Sequence, residues 1–279
     1  MKRILLAVDA TKPDSQAIDF ACYIGRLTKS VITGMFLENF VADEKPVIRE
    51  TPGLPHVEWD ADKEGTAFWN KKALIEKNVE NFSDCCERKS VRSSFRLAGG
   101  IPEKELVTES RYADLIIVDA STSFNRLYDG RPTEFVRSIL QHAECPVIIA
   151  PGSFEGIDEI VFAYDGSKSS AFAIKQFAIL LPELHDKKAT VLHVRKNGEW
   201  SNEEKQHFLD WIQNHYSNIG FRVIEGNTDD GLFDYLFKRK NSFIVMGAYG
   251  RSNISRFFRH SEADLLINVM TQPIFIAHY

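Results

Sequence analysis

The sequence is poor in cysteine, with four among 279 residues: Cys22, Cys85, Cys86 and Cys145. None forms a C-x-x-C pair, which argues against a disulfide-stapled secreted scaffold and against a thiolate zinc site of ordinary spacing. Vicinal Cys85 and Cys86 do not readily bridge in helix geometry, so the expectation is reduced structural thiols in a cytoplasmic protein. No apolar run approaches the roughly 20 residues that span a bilayer. The opening MKRILLAVDA is interrupted by Asp9 too early for a secretory signal and reads as a short buried strand. Basic residues are also in deficit, 34 Lys and Arg against 39 Asp and Glu, for a net charge of -5. That disfavours nucleic acid as a partner held by bulk charge, and the run Lys238-Arg239-Lys240 reads as a solvated helix end. Neither a membrane nor a nucleic acid is expected as a partner.

Catalytic constellations are equally scarce. No Ser-His-Asp order, metal cluster or carboxylate pair stands out, so no catalytic or metal-binding residue is assigned. His193 lies in an apolar run and reads as packed. His207 and His215 share a helix without a third ligand, and His142 reads as a helix-end residue.

What is present is ordinary globular composition, 44% hydrophobic and 26% charged, written twice. KRILLAVDATKPDSQAIDFA from Lys2 returns as DEIVFAYDGSKSSAFAIKQFA from Asp158. Each copy is an apolar run ending in Asp (Asp9, Asp165), then a Ser/Thr-containing turn, then apolar residues three or four apart on one helix face. The halves also end alike, ADLIIVDAS matching NSFIVMGAY and CPVIIAP matching QPIFIAH. In the second half the pattern predicts strands near 159–164, 189–194, 221–225, 243–247 and 273–277. It predicts helices near 168–181, 202–217, 230–239 and 261–270, with Ser201 and Glu204 as a capping box for the second of these.

Alternating strands and helices, with strands apolar throughout, predict an α/β fold: two tandem doubly wound, Rossmann-like parallel five-stranded sheets with helices on both faces, packed as a pseudo-dimer. The predicted domains are 1–151 and 157–279, divided at the Gly- and Pro-containing stretch Ala150 to Asp158. A segment near 40–69 in the first domain has no clear period and reads as an inserted long loop with a short helix.

In such a sheet, ligands bind beyond the carboxyl ends of the strands, where the strand order reverses. In the second half that brings together Ala163, Tyr164 and Asp165 with Met246, Gly247, Tyr249 and Gly250. Glycines let backbone N–H groups approach an anion, Arg251 adds a guanidinium fork, and Ser261 opens a helix whose first N–H groups favour negative charge. Asp165 accepts only and suits a sugar hydroxyl, a base amino group or a metal. The same residues also describe a plain turn, solvated arginines and a helix cap, and taken alone they leave both readings open.

These residues resemble the universal stress protein family, whose hallmark loop is G-x2-G-x9-G-[ST]. Gly247-x2-Gly250-x9 lands here on His260-Ser261, and LLINVMTQPIFIAH, VRSILQHAECPVIIAP, LLAVDAT, VFAYDGS and ATVLHVRK fit the family pattern in order. The resemblance covers nearly the whole chain as two tandem domains. It implies a site for ATP or another adenine nucleotide in the C-terminal domain alone, with Asp165 and Val194 around base and ribose and Gly247, Gly250, His260 and Ser261 around phosphate. His260 stands where the family has its third glycine, which implies impaired or altered binding. In the first half Asp119, Thr122 and Thr133-Glu134 replace the loop, and no nucleotide is expected there. The implied role is a non-catalytic, cytoplasmic stress-response module, with a ligand-free interaction scaffold or a weak ATP hydrolase as alternatives. Pairing of the two domains through PVIIAP and PIFIAH, and a homodimer beyond that, are the implied contacts.

Overall fold

The structure is a computed structural model that describes residues 1–39, 45–51, 54–60, 66–125, 130–195, 201–225, 235–237, 239–247 and 272–277. Within 45–60, and at 194, 195, 204, 224 and 225, only the backbone is described. In chain order the elements are β1 (Arg3–Asp9), α1 (Ser15–Thr28), β2 (Val31–Asn39), β3 (Lys45–Thr51), β4 (Leu54–Asp60), α2 (Thr66–Arg88), β5 (Ser93–Gly100), α3 (Pro102–Ser110) and β6 (Leu115–Asp119). They continue as α4 (Glu134–His142), β7 (Val147–Ala150), β8 (Glu159–Tyr164), α5 (Lys168–Leu180), β9 (Lys188–Arg195), α6 (Asn202–Ile212), β10 (Ile219–Glu225), β11 (Ser242–Gly247) and β12 (Ile274–Ala277). Among the described residues no helix is long and apolar enough to cross a membrane.

Among the described residues ten strands form one sheet in the order β10-β9-β8-β11-β12-β7-β6-β1-β2-β5. Within each half the order is third, second, first, fourth, fifth, all parallel, which is the doubly wound arrangement. The two five-strand sets are continuous with each other, not separate sheets facing each other. The fifth strands join them antiparallel, with Ile149 opposite Ile274, Ile148 opposite Phe275 and Val147 opposite Ile276. Both strands are buried along their whole length, and pairing removes two apolar sheet edges from water.

Alternation along the strands divides the core between two faces. Ile4, Leu6 and Val8 point to the face carrying α1, α2, α5 and α6, while Leu5 and Ala7 point to the face carrying α3 and α4. The first face is one continuous core across both halves. Phe20 of α1 and Phe177 of α5 occupy matching places in the repeat, and both touch Phe243 of β11, with ring centroids 6.4 and 4.9 Å away. Phe154, between the halves, lies edge-on to Phe20 at 5.1 Å and beside Tyr23 at 4.7 Å.

Several elements differ from the sequence reading. Within 40–69, β3 and β4 pair as an antiparallel ribbon, Lys45 opposite Asp60 through Thr51 opposite Leu54, and α2 runs for 23 residues from Thr66. Pro46 and Pro55 hide the strand signal. A two-stranded ribbon has only edges, where a missing N–H is tolerated. The helix predicted over 202–217 stops at Ile212 because the Asn214 amide donates to the carbonyls of Asp210 (2.8 Å) and Trp211 (3.3 Å), and Tyr216 turns inward against Phe162. Of the helix predicted over 230–239, residues 235–237 are helical, and 230–234 and 238 lie outside the described residues. The helix predicted over 261–270 lies outside the described residues.

Ion pairs close the amino-terminal ends of the first strands, with opposite polarity in the two halves. In β1 the cation is Arg3, bound to Glu109 at 2.9 Å, with Arg96 on the other oxygen of Glu109. In β8 the anion is Glu159, held by Arg239, by Lys188 at 3.0 Å and by the Thr190 hydroxyl at 2.5 Å. Arg239 also lies 4.2 Å over the Tyr235 ring, so it is a structural cation and not a solvated one.

Burial works to raise the pKa of Glu159, but the hydrogen bonds from Thr190 and Lys188 and the charge of Arg239 outweigh it and hold the carboxyl below its ordinary 4.5. A folded-state pKa below the unfolded one stabilises at higher pH and is lost as pH falls through the folded value. Glu159→Gln is therefore expected to cost about 2 kcal/mol at neutral pH and to flatten the loss of stability in acid. Urea unfolding across a pH series checks both, and an unchanged acid limb would remove Glu159 from this role.

Candidate functional site

The candidate site is built where β9, β8 and β11 end. β8 pairs with β9 on one side and β11 on the other, so strand order reverses between β8 and β11. Ala163 and Met246 are register partners at this edge. Both are buried and point to the face opposite α5 and α6, so they form a floor rather than polar contacts. The Tyr164 ring turns to the other face, 4.9 Å from Phe208 and 5.8 Å from the fully buried ring of His193. The backbone of Val194 completes the edge at the end of β9.

Asp165 follows β8 in a tight turn. Its Oδ1 accepts the Ser167 N–H at 2.9 Å, and Gly166 between them has φ +80°, a conformation that L side chains rarely adopt. The Ser167 hydroxyl then accepts the Ser170 N–H at 3.1 Å and caps α5. From Asp165 to this cap is two residues, against five from Asp9 to Asp14, the cap of α1. The shorter turn sets the first turn of α5 directly on the sheet edge.

Gly247, at the end of β11, is where that helix lands. A Cβ on Gly247 would stand 2.7 Å from the Ser169 carbonyl oxygen and closer still to the Ser170 nitrogen. This backbone contact is the physical demand for glycine here. Sequence reasoning assigned Gly247 to ligand approach and missed Ser169 and Ser170. The only signal was the short Asp-Gly-Ser turn.

Ala163, Tyr164, Asp165, Val194, Met246 and Gly247 thus come together at one edge. Tyr249, Gly250, Arg251, His260 and Ser261 lie outside the described residues. No group of three or more His, Cys, Asp or Glu suited to a metal occurs among the described residues.

At the corresponding edge of the first half, Asp9 and Asp119 each hold a turn of their own. Asp9 accepts the Thr11 N–H (2.8 Å), the Thr11 hydroxyl (2.7 Å) and the Lys12 N–H (3.2 Å). Asp119 accepts the Ser121 N–H at 2.9 Å and the Ser121 hydroxyl. Thr133 caps α4 while its hydroxyl and N–H donate to the carbonyls of Thr122 and Ala120. Phe124 lies edge-on to Phe135 of α4, 4.9 Å away. Because β7 and β12 are antiparallel, the two edges face opposite sides of the molecule.

No family model and no curated protein matches this chain. Solved structures do match. A universal stress protein from Archaeoglobus fulgidus DSM 4304 superposes with a TM-score of 0.70 at 16% identity, over 99% of this chain and 96% of that one. A Pseudomonas aeruginosa UCBPP-PA14 protein described as a universal stress protein gives 0.59 at 13% identity over 100% and 93%. A protein of unknown function from Pseudomonas aeruginosa PAO1 gives 0.58 at 13% identity over 100% and 92%. At such identities the agreement is one of architecture, and it spans both halves: this chain has the fold of the universal stress proteins.

Proposed function

We propose that this chain is a member of the universal stress protein family, a non-catalytic cytoplasmic module with tandem domains at 1–151 and 157–279, that holds ATP or another adenine nucleotide in its C-terminal half only. The observation that carries the reading is the position of Asp165, a carboxylate at the strand-order reversal between β8 and β11, where doubly wound sheets bind ligands. One oxygen of Asp165 is engaged by Ser167, which leaves acceptor capacity on the carboxylate for a ribose hydroxyl or a base amino group. The sequence beyond Gly247 supplies Gly250, Arg251, His260 and Ser261 for phosphate. The first half binds no nucleotide in this mode, because Asp119 and Glu134 repel phosphate and Thr133 is committed to its own loop.

A ligand-free scaffold is the second reading, favoured by Gly247, whose glycine requirement is met by α5 without any ligand. Denaturing the purified full chain and weighing what is released separates the two. Near-stoichiometric ATP or AMP supports the first, and no nucleotide together with no calorimetric binding supports the second. In the first case Asp165→Ala is expected to weaken adenine nucleotide binding about tenfold, as loss of one hydrogen bond to a charged group does. Asp9→Ala is expected to leave it unchanged.

A further inference from the structure

Cys22 sits on the buried side of α1 and Cys86 on the buried side of α2, with 1% and 0% of their surfaces exposed. Their Sγ atoms are 3.6 Å apart, though 64 positions separate them in the chain. Cys85, next in sequence, is half-buried and turns elsewhere, its Sγ 3.6 Å from Oδ1 of Asp19, which also holds Lys89 at 2.8 Å. We propose that Cys22 and Cys86 are a modification site, a dithiol that hydrogen peroxide closes into a reversible disulfide tying α1 to α2.

The geometry requires little movement. A disulfide holds its sulfurs about 2.05 Å apart, so the pair must approach by roughly 1.5 Å, which side-chain rotation and a slight slide of two helices provide. The sulfurs are already in contact within the apolar core between these helices.

The two thiols are also unequal. A hydrogen bond from Cys22, assisted by Ser93, holds the Cys86 thiol below its ordinary value, while that same bond and burial push Cys22 up. In this proposal Cys86, on the acceptor side of that hydrogen bond, reacts first as the thiolate, and Cys22 resolves it. The Cys86 Sγ attacks one peroxide oxygen, the O–O bond breaks, and the departing hydroxide takes up the proton that Cys86 gave up. Cys86 is now a sulfenic acid. Cys22 Sγ displaces hydroxide from it, the S–S bond forms, and that hydroxide takes the Cys22 proton. Two thiols are oxidised to one disulfide as one peroxide is reduced to two waters.

The test uses the full chain, treated with hydrogen peroxide, unfolded in the presence of an alkylating reagent, digested and analysed by mass spectrometry. The expected result is loss of two of the four alkylatable thiols, a peptide pair joined through Cys22 and Cys86, and recovery of both thiols with dithiothreitol. Cys85→Ser is expected to retain the bridge and Cys22→Ser to abolish it. Alkylation of both Cys22 and Cys86 after peroxide would overturn the proposal. So would a bridge from Cys86 to Cys85, or sulfinic acid on either thiol without a bridge.

Discussion

Gly247→Ala is expected to destabilise the ligand-free protein by about 3 kcal/mol, at the upper end of overpacking costs. The added methyl meets main chain, the Ser169 carbonyl and the Ser170 N–H, and not the end of a flexible side chain. Relief requires moving the start of α5, which is fixed by the Ser167 cap and by the bond from Ser167 to Asp165. Urea unfolding without nucleotide is the discriminating measurement. A glycine kept only to admit phosphate would leave stability unchanged and lower affinity alone. A normal midpoint for Gly247→Ala would therefore return Gly247 to the ligand and contradict the packing account.

The second large effect belongs to Phe243. Its side chain is fully buried and lies against Phe20 of the first half and Phe177 of the second. Truncating such an aromatic costs about 3–5 kcal/mol through lost burial and the cavity left behind. The informative part is where the loss is felt. Since one core runs through both halves, Phe243→Ala is expected to weaken hydrogen-exchange protection in α1 as well as in α5. Protection lost from α5 alone, with α1 unchanged, would mean that the halves unfold independently.

The features legible in the sequence were those set by short-range chemistry. Apolar runs ending at Asp9 and Asp165, helical spacing behind them and matching endings at Val147 and Ile274 were enough for the doubly wound fold class. The ribbon at 45–60 was not legible because Pro46 and Pro55 interrupt the strand pattern without preventing a ribbon. Arg239 read as solvated because Glu159 and Tyr235 meet it only after folding. The candidate site was legible as a place, the strand-order reversal beside Asp165, since topology alone fixes it. The packing demand at Gly247 was not, because it depends on a helix that approaches from the opposite end of the half. The contact between Cys22 and Cys86 was hidden in the same way, as chain distance says nothing about which helix faces meet.

The reversed polarity at the starts of β1 and β8 bears on how a duplicated chain avoids mixing its copies. Two near-repeats invite a strand from one to occupy the slot of the other, within a molecule or between molecules on the ribosome. A β1 strand in the β8 slot would set Arg3 against Lys188 and Arg239, and a β8 strand in the β1 slot would set Glu159 against Glu109. Each exchange trades attraction for like-charge repulsion at a partly buried position. The swapped ion pairs thus set a charge cost against either first strand pairing in the other half.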